Sequence, residues 1–122
     1  MTIIYDSLTG QAKRLADQLG FKSYDIKDYD ETDISCVFLI TRSYNFGEIP
    51  ETTQQFLSKY HQHVIGVAVS GNRNWGQNFG AAGVKIEKKY GIPLVLKFEG
   101  SGMPGDAGII KSWIHTYLAQ QK

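Results

Sequence analysis

Five short apolar runs, separated by polar loops and by segments of helical period, constrain this chain more than any other feature. Ile3, Ile4 and Tyr5 form the first run and residues 21–26 an edge-like second. Residues 36–40, 64–69 and 94–98 complete the set, the third and fourth being continuously apolar, as strands covered on both faces are. Between the runs, Ala12, Leu15, Ala16 and Leu19 fall at i, i+3, i+4 and i+7, one buried helix face, and Gly20 stands where a glycine ends a helix. Residues 28–33 are an acidic connector with room for no more than a turn of helix. Pro50 is placed to open a second helix with Phe56, Leu57 and Tyr60 inward. Phe79, Ala82, Gly83, Ile86 and Tyr90 make a third stripe closed by Gly91. Ile110, Trp113, Ile114, Tyr117 and Leu118 make the last.

Strands that alternate with helices predict a parallel sheet with helices on both faces. With five strands in 122 residues, the expectation is one α/β domain over residues 1–122, a flavodoxin-like three-layer sandwich with strand order 2-1-3-4-5. In that order a ligand sits at the switch point between strands 1 and 3, outside the strand C-termini. Its contacts must then come from the loops after strands 1, 3 and 4.

Those three loops are the unusual ones. Ser7, Leu8, Thr9, Gly10, Gln11 and Ala12 combine two hydroxyls, a glycine and a helix N-terminus, an anion site made of backbone N–H groups. The loop has no lysine and no G-x-x-x-x-G-K-[ST] pattern, so a monophosphate suits it better than a nucleoside triphosphate. The alternative is that Ser7 and Thr9 only cap the helix. In the second loop, Thr41 to Ile49, Ser43, Tyr44, Asn45, Phe46 and Gly47 stand at a strand C-terminus. The aromatic pair there serves either as ligand wall or as core plug, and Asn45 and Gly47 tolerate positive φ. The third loop, residues 70–80, offers Ser70, Gly71, Asn72, Asn74 and Gly76 around Trp75. Tryptophan stacks on other π-systems. Phosphate donors, aromatic walls and bare amides together describe a site for flavin mononucleotide (FMN).

Other chemistries lack their residues. His61 and His63 at a helix end and His115 in the last helix do not form a metal set, and Cys36 begins a buried strand. No Ser/His/Asp or paired-carboxylate constellation stands out, and the acidic cluster of a receiver domain is reduced to Asp6. The net charge of +1 gives no case for nucleic acid, no apolar run approaches the ~18 residues of a bilayer span, and a single cysteine fits a reducing cytoplasm.

The wording of the loops resembles that of the NrdI family, flavodoxin-like proteins that accompany class Ib ribonucleotide reductases. YDSLTG, NFGEIPETTQQFL, SGNRNWGQNFGAAG and IPLVLKFE carry the resemblance over essentially the whole chain, SGNRNWG most specifically. The resemblance implies bound FMN, no catalytic side chain, and an accessory redox role. Reduced flavin passes electrons to the small subunit of the reductase, or reacts with O2 to give the superoxide that assembles its dimanganese tyrosyl radical cofactor. It also implies a flavin-reducing partner and a cytoplasmic monomer. Residues 7 and 9–12 would hold the phosphate, residues 44–47 would border the ring, and Ser70, Gly71, Asn72, Asn74, Trp75 and Gly76 would form the other wall. The chain departs from the family pattern at Gln11, where T-G-N is usual, at Asn45, where many members have glycine, and at FEGSGMPGD in place of F-E-L-x-G-T. A general electron-carrier flavodoxin and a small FMN-dependent quinone or nitro reductase are the alternatives. Arg42 and Arg73 against Glu48 alone, counted over the second and third loops, predict an anionic reduced flavin less penalised than in an acidic flavodoxin.

Overall fold

A computed structural model describes residues 1–44 and 47–121, without the side chain of Gln77. Its strands are β1 (Thr2–Tyr5), β2 (Lys22–Asp25), β3 (Val37–Arg42), β4 (Val64–Ser70) and β5 (Leu94–Phe98). Its helices are α1 (Gln11–Asp17), α2 (Glu51–Tyr60), α3 (Ala81–Tyr90) and α4 (Asp106–Gln120). The sheet runs β2-β1-β3-β4-β5 with every pairing parallel, the expected order.

Period-2 alternation divides the core between the two faces of this sheet. Ile4, Val37, Leu39, Val67 and Val69 face α2 and α3, where Phe56, Leu57, Ala82 and Ile86 meet them. Ile3, Tyr5, Phe38, Ile40 and Ala68 face α1 and α4, against Leu15, Ala16, Ile110 and Ile114. Each large side chain fully withdrawn from water here contributes roughly 1.5–3 kcal/mol. Gly83 shows how close α3 lies: a Cβ there would come within 2.6 Å of Leu94 Cδ1 and 2.8 Å of Val69 Cγ2.

The ends of the elements depart from the periodicity. Helix α1 stops at Asp17, so Leu19 is buried from the turn beyond it, and Gly20 takes its positive φ outside the helix rather than as its cap. Phe79 lies before α3 instead of in its stripe, because Gly80 (φ 66°) starts that helix. Of the residues expected inward on α4, only Ile110 and Ile114 are fully buried; Trp113 is half-buried and stacks on Tyr117 at 5.6 Å. The acidic connector holds one 3-10 turn at Glu31–Asp33. Among the described residues no helix is long and apolar enough to cross a membrane.

Candidate functional site

A cleft of about 310 Å³ opens at the C-terminal end of the sheet, within the volume range of small-ligand sites. Its lining comes from the last residues of β3 and β4 and from the segments after β1, β3, β4 and β5. The bases of the loops are fastened to neighbouring strands: Ser43 N donates to Ser70 O at 3.0 Å, and Gly71 N to Phe98 O at 2.9 Å. Parallel pairing thus carries two of the loops side by side and aims them at one volume.

In the first loop, Ser7, Leu8, Thr9, Gln11 and Ala12 line the cleft. Gly10 does not, but its left-handed backbone (φ 86°) turns the chain into α1. Neither Ser7 nor Thr9 caps that helix, which has no side-chain cap at all. The Oγ of Ser7 is buried with no partner among the described residues. From Ser7 onward, the first backbone N–H with a backbone acceptor among the described residues is that of Arg14, to Gly10 O at 3.0 Å. An oxyanion is the ligand whose chemistry matches such a concentration of donors.

The second loop contributes Arg42 and Ser43, and Ser43 Oγ is also buried with no partner among the described residues. Tyr44 is 53% exposed and does not line the cleft; its N–H and carbonyl pair with Glu48 to close a tight turn. Gly47, at φ 108°, brings this turn against α3, where a Cβ would lie 2.6 Å from that of Ala81. Asn45 and Phe46 lie outside the described residues. Thr41 is fully buried beneath the cleft rather than in its wall, with its hydroxyl 2.6 Å from that of Thr53.

Ser70, Gly71, Asn72 and Trp75 line the cleft from the third loop, and Asn74 and Gly76 do not. Asn72 opens the 3-10 segment Arg73–Asn78 by accepting from Asn74 N at 2.8 Å. Gly76 breaks that segment at φ 58°, ψ −119°, a conformation open to glycine. The indole of Trp75 is half-buried on the wall so formed.

Two carboxylates missing from the sequence-derived site also line the cleft. Asp6, 1% exposed, accepts from the hydroxyls of Thr52 and Thr53, the latter at 2.7 Å, and pairs with Arg42 Nε at 3.4 Å. Glu99 accepts from Arg73 N at 2.9 Å and lies 3.9 Å from its Nε. Each arginine of the expected positive excess is therefore matched by a carboxylate from another segment. Neither carboxylate belongs to the second or third loop: Asp6 follows β1 and Glu99 follows β5. Gly100 completes the lining, inside the FEGSGMPGD stretch that departs from the family pattern. No group of histidine, cysteine and carboxylate residues that could hold a metal occurs among the described residues.

Solved structures that superpose on this fold include flavodoxins. A short-chain flavodoxin associated with a non-canonical PDU bacterial microcompartment superposes with a TM-score of 0.74 at 18% identity, covering 99% of this chain and 97% of that one. A Fusobacterium nucleatum flavodoxin solved with bound flavin mononucleotide gives 0.69 at 18% identity, covering 98% and 96%. At such identities the likeness shows the fold. Closer in sequence are protein NrdI of Macrococcus caseolyticus, 40% identical over 106 residues (87% of this chain, 82% of that protein), and the SPbeta prophage-derived protein NrdI of Bacillus subtilis, 46% identical over 105 residues (84% and 81%). The family model described as NrdI flavodoxin-like matches residues 3–112. With that match and those relatives, the chain belongs to the NrdI family of flavodoxin-like proteins.

Proposed function

We propose that the cleft binds FMN and that the protein serves the radical-bearing small subunit of a class Ib ribonucleotide reductase. The observation that carries the reading is the pair of buried hydroxyls, Ser7 Oγ and Ser43 Oγ, that have no partner among the described residues and stand on two loops lining one cleft. Buried hydroxyls are nearly always hydrogen-bonded, so a polar ligand between those loops is the natural partner. Loop 7–12 would take the phosphate with its N–H groups, and Trp75 would wall the ring. Asn72 and the amides near it suit the polar edge of an isoalloxazine.

A bound flavin would supply one-electron transfer, to a partner or, one electron per O2, to form superoxide. The chain's own part is to hold that group, cover one face and leave an edge open to a partner. Arg42 in the lining and Arg73 just outside it pair with the two carboxylates of the cleft, which offsets their charge toward a reduced, anionic ring. Membership in the family supports the reductase as the partner, with a separate flavin reductant, a monomeric state and a cytoplasmic setting following from the same reading.

Purified protein titrated with FMN should turn yellow, and Ser7→Ala and Ser43→Ala should each weaken binding. The reduced holoprotein, mixed with Mn(II)-loaded class Ib small subunit and O2, should give a tyrosyl radical by electron paramagnetic resonance. Failure to bind flavin removes the cofactor, and a radical yield independent of this protein removes the partner.

A further inference from the structure

The loop that would seat a phosphate has no basic side chain, and the residue just before it, Asp6, is a buried carboxylate in the lining of the same cleft. An anion on loop 7–12 would meet that charge directly unless something cancelled it. Arg42 is the group in position to do so. Its Nε lies 3.4 Å from Asp6 Oδ1, and its side chain, only 20% exposed, lines the cleft with Ser7 and Ser43. The other oxygen, Asp6 Oδ2, is occupied by the Thr52 and Thr53 hydroxyls, which fixes the carboxylate with Oδ1 toward the arginine.

Strand geometry sends Arg42 the right way. Phe38 and Ile40 of β3 pack on the α1 side of the sheet, so position 42 leaves the strand toward that side, where loop 7–12 begins. A guanidinium that spends its Nε edge on a carboxylate keeps its terminal donors for a second anion. Among the described residues those terminal nitrogens have no hydrogen-bond partner or ion pair. Arg42 lines the cleft, whereas Arg14, 3.4 Å from Ser101 Oγ, and Arg73, beside Glu99, are not in its lining.

We propose that Arg42 is the phosphate-contacting cation of this cleft and that Asp6 is its positioning residue. Arg42 cancels the buried charge of Asp6 and turns its remaining donors to the phosphate monoester of the flavin on loop 7–12. Phosphate selectivity is then a property of the pair, assembled from the ends of two neighbouring strands. The inference rests on the FMN reading of the cleft.

The test is a comparison of FMN with riboflavin, which has the same ring and no phosphate, by fluorescence quenching on the apoprotein. Wild type should prefer FMN. Arg42→Gln should weaken FMN by about 10- to 100-fold, the range for a lost charge-assisted hydrogen bond, and leave riboflavin within about threefold. The double variant D6N/R42Q, which removes the unmasked carboxylate as well, should regain part of the FMN preference. Thermal melts of the apoproteins establish that each variant is folded. An unchanged FMN-to-riboflavin ratio in Arg42→Gln, or a double variant no better than the single one, would overturn the proposal while leaving the flavin site intact. If the wild type binds neither flavin, the FMN reading itself fails.

Discussion

Replacing Thr53 by valine removes one hydroxyl and should unsettle two other residues. Thr53 is fully buried in the first turn of α2, with its Oγ1 2.7 Å from Asp6 Oδ2 and 2.6 Å from Thr41 Oγ1. As a carboxylate Asp6 only accepts, so the single proton of Thr53 goes to Asp6 and Thr41 donates to Thr53. Valine keeps the shape but takes one donor from a buried charge and strands the Thr41 hydroxyl. A hydrogen bond to a charged group is worth roughly 1.5–3 kcal/mol, and an orphaned neutral hydroxyl adds to that, so the expected loss is about 2–4 kcal/mol. Spread over the unfolding entropy of a chain this size, that lowers Tm by about 8–15 °C. Thr41→Val, which removes only the outer, neutral link, should cost about 0.5–1.5 kcal/mol. Thr53→Ser keeps the proton and loses one methyl, about 1 kcal/mol. Urea denaturation of the three variants, with calorimetry for Tm, tests the order. A Thr53→Val protein within about 1 kcal/mol of wild type, or a Thr41→Val protein equally damaged, would show that the relay does not carry the stability assigned to it.

Two further predictions concern packing and pH. Gly83→Ala should destabilise by about 1–3 kcal/mol even though alanine favours helix, because its Cβ would press on Leu94 and Val69; unchanged or raised stability in urea would contradict the close approach. Asp33 is held below the usual carboxylate range by Lys22 at 2.7 Å and the Tyr24 hydroxyl at 2.5 Å, and Glu31 by Lys59 and the Tyr60 hydroxyl. A carboxyl lowered in the folded state contributes stability above its unfolded pKa and loses it as pH falls through the folded value. Stability should therefore be level near neutrality and decline below about pH 4, and the double variant D33N/E31Q should show a shallower decline in urea melts taken across that range; an unaltered slope counts against these pairs.

The sheet was legible because its information is local. The apolar runs at 36–40 and 64–69 read as covered strands and fall in β3 and β4, except that Cys36 is half-buried just before β3, and the stripe at Ala82, Gly83 and Ile86 reads as one helix face. The loops that reach the cleft were legible too, since β1, β3 and β4 each run into glycine and hydroxyl-rich sequence at the same end. What the sequence hides is which charges meet. Asp6 and Arg42 are separated by 36 residues, and nothing in the spacing of either declares a pair. Glu99 reads as the end of a strand, and only the parallel placement of β5 beside β4 brings it to Arg73. Thr41 looks like a loop hydroxyl offered to a ligand, but β3 runs on to Arg42, which puts residue 41 inside the sheet facing α2. Helix ends were misjudged for a related reason: Leu19 fits the period of α1 and is buried, although the helix has already ended.

The carboxylate of Asp6 also anchors the beginning of α2. Pro50 precedes that helix without a side-chain cap, and its first turn is held by Thr52 and Thr53 reaching a residue 46 and 47 positions earlier in the chain. The start of α2 is thus tied to the residue that follows β1 as well as to its own neighbours. In the folded domain its first turn cannot fray without exposing a buried charge. The amides of that turn should therefore exchange with solvent only as the whole domain opens, behaving as part of the sheet although they belong to a helix.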